Sequence, residues 1–162
     1  MKDLHIAVVD IEDGRLSMTK AMDFVADPRF GGVACFMGRV RNHNLGRQVT
    51  GISYDIFEPL ALNTFRAIAE RARNEVGDPL KLYIAHARGR LGIHDPAVLV
   101  VAATPHRDEA FRACRLAIEA VKHEAPIWKQ EHYVDGDSAW TEGCSLCEQQ
   151  REHAAGPGAQ AG

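Results

Sequence analysis

The segment KHEAPIWK carries two lysines, Lys122 and Lys129, with Pro126 and Trp128 between them. A helix that ends before a proline-directed turn can aim both ammonium groups into one pocket, with the indole as a rigid apolar wall. A lysine so placed polarises a carbonyl, holds a phosphate or forms a covalent adduct. A plainer reading stands beside this one, because lysines near helix C-termini also complement the helix dipole.

Two further groups of side chains suit an anion. Arg39, Arg41, His43 and Arg47 fall within nine positions around a polar loop, where guanidiniums offer forked donors to phosphate and an imidazole adds a proton near neutral pH. A solvated loop would have the same composition. His106 and Arg107 stand at a helix start, where unpaired N–H groups and the positive dipole end already attract negative charge. Two cations there oppose the dipole unless a bound anion offsets them, or unless exposure and the adjoining Asp108 and Glu109 do. Cys144-x-x-Cys147, with His132 before it and His153 after it, lacks a second ligand pair at finger-like spacing and reads as an incidental surface pair rather than a zinc or redox site. Cys35 and Cys114 lie in apolar runs and read as small core residues.

These side chains need a scaffold, and periodicity supplies one. Residues 4–11 read as a strand and 17–27 as a short helix, capped by Ser17, with Met18, Met22 and Val25 on one face. Residues 31–40 and 49–57 read as strands joined by the basic loop, which predicts a hairpin between them. Pro59 starts a helix that runs to Val76, with Leu62, Phe65, Ile68, Ala69 and Ala72 inward and Gly77 at its end. Residues 81–91 and 97–104 form a second hairpin across GIHDP. Thr104 as N-cap and Pro105 as first residue open a long helix with the stripe Phe111, Cys114, Ile118 and Val121, ending near His123 before an extended segment at 127–134. Hairpins with two main helices and no regular β-α alternation make an α+β fold.

Bulk properties narrow the function. The chain has 162 residues, enough for one domain, and 46% hydrophobic with 25% charged residues is the balance of a soluble globular protein rather than a disordered or fibrous one. A net charge of −3 predicts no nucleic-acid partner and no anionic membrane surface. Acidic residues in MKDLHIAVVDIEDG occupy the place of a signal peptide's basic region, and no stretch is apolar for long enough to span a bilayer, so a cytoplasmic protein with reduced thiols is expected. Residues 1–142 read as a single domain and 143–162, rich in Gly, Ala, Pro and Gln, as a flexible tail.

The segments GGVACFMGRVRNHNLG, HARGRLGIHD, ATPHRDEAF and VKHEAPIWKQE follow one another in this order, and from about Gly31 to Trp140 the chain resembles the large, catalytic subunits of molybdopterin synthase. The resemblance implies a hammerhead-type α+β fold with antiparallel hairpins, in a homodimer at the core of a heterotetramer. Its partner would be a small ubiquitin-like sulfur carrier with a C-terminal Gly-Gly thiocarboxylate. Two sulfurs would pass to cyclic pyranopterin monophosphate, forming the molybdopterin dithiolene without a metal or organic cofactor. Matched residue by residue, Lys122 and Lys129 correspond to the family's catalytic lysines, Arg41, His106 and Arg107 to residues that bind the substrate phosphate and pterin, and Phe36 to a pocket-lining aromatic. Arg39 joins the substrate-binding set from the same loop. After Trp140-Thr141-Glu142 the family often has a basic residue where this chain has Gly143 and Cys144, which leaves open whether Arg151 substitutes. A non-catalytic module that grips a nucleotide or another anion is the alternative.

Spacing adds one constraint. Arg107 and Lys122 are 15 residues apart on one helix, about 22 Å along its axis at a 1.5 Å rise. A small substrate that touches both therefore takes them from two subunits.

Overall fold

A strand that is apolar at nearly every position must be covered on both faces, and two such runs, YIAHA and PAVLVVAAT, set the middle of this fold. The computed structural model describes residues 2–142. Its strands are β1 (Leu4–Asp10), β2 (Gly32–Arg39), β3 (His43–Asn44), β4 (Arg47–Ile56), β5 (Lys81–Gly92), β6 (Pro96–Thr104), β7 (Ile127–Tyr133), β8 (Gly136–Asp137) and β9 (Thr141–Glu142). Its helices are α1 (Met18–Val25), α2 (Glu58–Val76) and α3 (Arg107–Glu124), with a 3-10 turn at Ile11–Asp13.

Among the described residues the sheet runs β2-β6-β5-β4-β7-β8, with β1 on β5, β3 on β4 and β9 on β7. Every pairing is antiparallel except β1 with β5. Alternation along β5 and β6 separates two cores. Leu82, Ile84, Val98, Val100 and Ala102 pack with α2 and α3, while Tyr83, Ala85, Ala87, Leu99, Val101 and Ala103 pack with Ala21 and Val25 of α1. The α+β class and the hammerhead-type fold expected above are present.

Local signals place most elements correctly. The Ser17 hydroxyl accepts the Lys20 N–H at 3.2 Å, as an N-cap should. The face of α2 carries Phe65, Ile68, Ala69 and Ala72 into the core, and Gly77 follows it at φ +81°. The hairpin expected between residues 81–91 and 97–104 is β5 and β6.

Five expectations fail for tertiary reasons. β2 forms no hairpin with β4: Val40 donates to the Asp95 carbonyl and His94 to the Val40 carbonyl, which ties the chain to the β5–β6 turn, while both edges of β4 are taken by β5 and β7. The hairpin that does form is β3 with β4 around Leu45 and Gly46, whose φ angles of +50° and +73° match a two-residue turn of the primed type. Thr104 remains in β6 opposite Gly32 and donates its hydroxyl to the His106 carbonyl at 2.6 Å, so His106, not Thr104, is the N-cap of α3. Phe111 is 64% exposed, Met22 is exposed, and Cys35 lies on an exposed position of β2 rather than in the core.

The inward stripe of α3 is instead dominated by alanines, Ala110, Ala113, Ala117 and Ala120, with Cys114, Ile118 and Val121. Small side chains let the helix lie close to the sheet. The closest approach is at Gly32, where a Cβ would stand 2.9 Å from Arg107 Cα and from Arg107 N. Gly32→Ala is therefore expected to push the start of α3 off β2 and to lower stability by about 1–3 kcal/mol. Urea unfolding measures this, and an unchanged midpoint would show that the helix start yields freely.

Candidate active site

Lys122 lies in the last turn of α3, and Lys129 projects from β7 on the same sheet face as Ile127, the face packed against α2 and α3. Tyr54 of β4 is the register partner of Lys129 and meets the ring of His86 edge-on, with centroids 4.9 Å apart. His86 follows Leu82 and Ile84 along the inward face of β5 and is fully enclosed. Its pKa falls to about 3, chiefly through burial and then through the positive charge of Lys122, against a smaller opposing effect of its bond to the Ala87 carbonyl. That bond is 2.8 Å from Nδ1, so the neutral ring holds its proton on Nδ1. The two lysines, far apart in their elements, thus converge on one polar track that runs Lys122, His86, Tyr54, Lys129.

Lys129 is 3% exposed and sits 3.2 Å from Glu131 Oε1. Glu131 is anchored in turn: Asn44 Nδ2 donates to Oε1 at 3.1 Å, and the Ser138 hydroxyl donates to Oε2 at 3.3 Å. Asn44 Nδ2 also lies 3.2 Å from the Tyr133 hydroxyl. The short β3–β4 hairpin therefore serves to deliver Asn44 to a buried charge.

Strand register locates the anion-binding candidates. Gly38 of β2 pairs with Val98, and Val98 pairs with His86, so the Arg39 end of β2 lies at the Lys122 end of the sheet. Arg39 and Arg41 are exposed there. Phe36, two residues before Gly38 and on the same face, is exposed as well. His106 and Arg107 sit at the opposite end, where Gly32 pairs with Thr104. The length of β2 and of α3 separates them from Lys122 within one chain, in agreement with the spacing on the helix.

Other candidates are spoken for. Arg47 reaches Asp135 at 2.6 Å and stacks 3.7 Å over the Tyr133 ring, which withdraws it from the basic loop's anion cluster. His43 Nδ1 is 2.9 Å from Asn42 Oδ1. His132 bonds Ser53 through Nε2 at 2.7 Å and Asp137 through Nδ1 at 3.0 Å, so both ring nitrogens are occupied inside the sheet. Cys144, Cys147, Arg151 and His153 lie outside the described residues. Among the described residues no group of three His, Cys, Asp or Glu side chains is placed to hold a metal. Sequence reasoning missed His86, Tyr54, Glu131 and Asn44. The signal for His86 was present, as a lone histidine in an otherwise apolar strand.

A family model described as MoaE protein matches residues 11–124. The chain belongs to the MoaE family. It is 43% identical over 143 residues to the molybdopterin synthase catalytic subunit of Synechococcus elongatus, covering 88% of this chain and 87% of the relative. The crystal structure of molybdopterin synthase from Staphylococcus aureus aligns with a TM-score of 0.76 at 30% identity, over 87% of this chain and 98% of that one. A Helicobacter pylori complex of subunits 1 and 2 of molybdopterin-converting factor aligns at 0.65 and 25% identity, over 83% of this chain and 87% of that one. As a MoaE-family protein the chain is a catalytic subunit of molybdopterin synthase, an enzyme of molybdenum cofactor biosynthesis. The matched residues include Lys122 and stop before Lys129. No helix among the described residues is long and apolar enough to cross a membrane.

Two expectations follow from the buried groups. His86 is neutral in the fold down to about pH 3, whereas in the unfolded chain it protonates near pH 6.5. Between these values the unfolded state holds one more proton, so stability is full above about pH 6.5 and falls as pH drops, by about 1.4 kcal/mol per pH unit. Replacing His86 with Gln should remove that part of the acid slope in denaturant titrations from pH 6.5 to 4.5, and an unaltered slope would show that the ring is not buried neutral. Glu131→Ala, which removes the carboxylate 3.2 Å from the buried Lys129 ammonium, should destabilise by about 3–5 kcal/mol, as read by thermal unfolding at neutral pH.

Proposed function

We propose that the chain transfers two sulfurs in turn from the thiocarboxylated Gly-Gly tail of a small ubiquitin-like carrier subunit to cyclic pyranopterin monophosphate, making the molybdopterin dithiolene in the cytoplasm. The convergence of Lys122 and Lys129 on one sheet face carries this reading. A sulfurtransferase of this kind has to stabilise negative charge as sulfur attacks the pterin side chain, and preorganised ammonium groups out of bulk water do this well. Lys122 and Lys129 take the catalytic roles. Arg39, Arg41, His106 and Arg107 hold the phosphate and the pterin, with Phe36 as an apolar wall. A Gly-Gly tail is narrow and extended, so its path to the lysines needs to admit backbone but little side chain.

The separation of His106 and Arg107 from Lys122 favours a site shared between two copies. β2 ends the strand order and exposes Val33 and Phe36, and α3 adds exposed Phe111. Pairing β2 with its own copy about a two-fold axis runs the strands antiparallel, which sets the Gly32 end of one chain against the Arg39 end of the other. The resulting dimer, with one carrier on each chain, is the heterotetramer.

Single-turnover conversion with authentic thiocarboxylated carrier tests the chemistry. Lys122→Ala should slow product formation by about 100- to 1000-fold while substrate still binds; a smooth loss of affinity without loss of rate would favour an anion-binding module. Mixing Lys122→Ala with Arg107→Ala chains tests the shared site. A mixed dimer then contains one intact site, so activity should recover to roughly a quarter of wild type at random assortment. No recovery would place the whole site within one chain.

A further inference from the structure

We infer that Asn44 is a positioning residue for Lys129, acting through the buried Glu131 carboxylate that both side chains meet, an inference that rests on the catalytic role proposed above for Lys129. Glu131 Oε1 lies 3.2 Å from the Lys129 ammonium and accepts a hydrogen bond from Asn44 Nδ2 at 3.1 Å. The lysine and the amide thus share one oxygen atom. The second hydrogen of the amide goes to the Tyr133 hydroxyl, 3.2 Å from Nδ2, so both of its N–H bonds are used. Ser138 fixes the rest of Glu131: its Oγ lies 3.3 Å from Oε2 and accepts the Glu131 backbone N–H at 2.9 Å. The carboxylate is therefore held at both oxygens, and Asn44 holds the one that faces the lysine.

A residue chosen for stability alone would look different. Asn44 is buried, yet its Oδ1 meets no donor among the described residues, a loss that buried polar groups normally avoid. The next residue, Leu45, takes φ +50° at the tip of the hairpin, which is uncommon for a leucine. Two unfavourable features side by side mark a place where geometry is fixed for another purpose. The chemistry of the amide supplies that purpose. An aspartate of the same shape would set a second negative charge against Glu131, and a leucine would withdraw the amide's bond from Oε1. An amide donor takes up one lone pair of Oε1 without adding charge. The lysine is confined to the approach that remains, and the carboxylate, already bonded elsewhere, grips the ammonium less tightly than a bare one would. Lys129 thereby keeps a fixed place while its charge stays available to a substrate.

The experiment uses the full chain with thiocarboxylated carrier and cyclic pyranopterin monophosphate, comparing wild type, Asn44→Leu, Lys129→Met and the double variant. Asn44→Leu keeps the side chain's size and removes its hydrogen bonds; the single-turnover rate should fall about ten- to hundredfold, with substrate half-saturation changed by no more than about twofold. Added to Lys129→Met, the same substitution should alter the residual rate by no more than about twofold, because the residue it acts through is gone. A rate for Asn44→Leu equal to wild type, or a full further loss in the double variant, would overturn the inference. Because Asn44→Leu can fail to fold, Asn44→Ala, whose cavity has room for a water, carries the same comparison. A crystal structure of the folded variant gives a readout independent of rate: the Lys129 ammonium should be displaced by about 1 Å relative to wild type, and an unmoved ammonium also overturns the inference. If Lys129→Met stays fully active while the ammonium moves in the Asn44 variant, the catalytic role of Lys129 fails and the positioning by Asn44 stands.

Discussion

Lys129 holds its ammonium group 3.2 Å from the Glu131 carboxylate with both side chains almost wholly buried, and much of the nearby structure exists to make that pair tolerable. Charges taken out of water need good geometry and further hydrogen bonds to offset their lost hydration. Asn44 and Ser138 supply those bonds to Glu131. Asn44 comes from a two-residue hairpin turn that places Leu45 at φ +50°, an uncommon conformation for a leucine, which the surrounding pairing has to impose. Arg47, at the other side of that turn, stacks on Tyr133 and pairs with Asp135, bracing the end of β7. A loop that looks from its composition like an anion grip is in part a support for a buried cation.

The second organising constraint is the fit of α3 to the sheet. An inward face of alanines and a glycine opposite Arg107 draw the helix against β2 and β6 along its whole length. Close packing of this kind is intolerant of added volume, and it makes the helix a rigid spacer. Its N-terminus carries His106 and Arg107 to one end of β2, and its C-terminus carries Lys122, whose charge is felt at His86, toward the other. Rigidity keeps the two ends apart within one chain, which is why the function proposed above calls on two copies.

The polar track from Lys122 through His86 and Tyr54 to Lys129 interrupts an otherwise apolar interface between the sheet and the helix pair. Such an arrangement lowers the stability of the fold in acid, since His86 must remain neutral to stay inside. In return, buried Lys129 gains an environment with little water and fixed dipoles, where a charge acts more strongly than at the surface, while Lys122 stays half-buried.

Periodicity and turn chemistry in the sequence were sufficient for the strands, the helices, the α+β class and the resemblance to a family, because these depend on neighbours a few residues apart. The KHEAPIWK lysines, the basic loop and the start of α3 were legible for the same reason. What tertiary structure alone decided is how those residues are paired and placed. The hairpin expected between β2 and β4 gave way because Val40 finds its partners in the β5–β6 turn, and the cap of α3 moved to His106 because Thr104 was already held in the sheet opposite Gly32. Phe111 turned outward although its spacing suited the core, because α3 lies too close to the sheet for its large side chains to be chosen by period alone. Glu131, Asn44 and Tyr54 carry no local signature of a site, and His86 only that of a lone histidine in an apolar strand; each acquires its place through contacts with residues 32 to 89 positions away, or through an electrostatic partner on another element, and burial of charge is a property of the fold rather than of any segment.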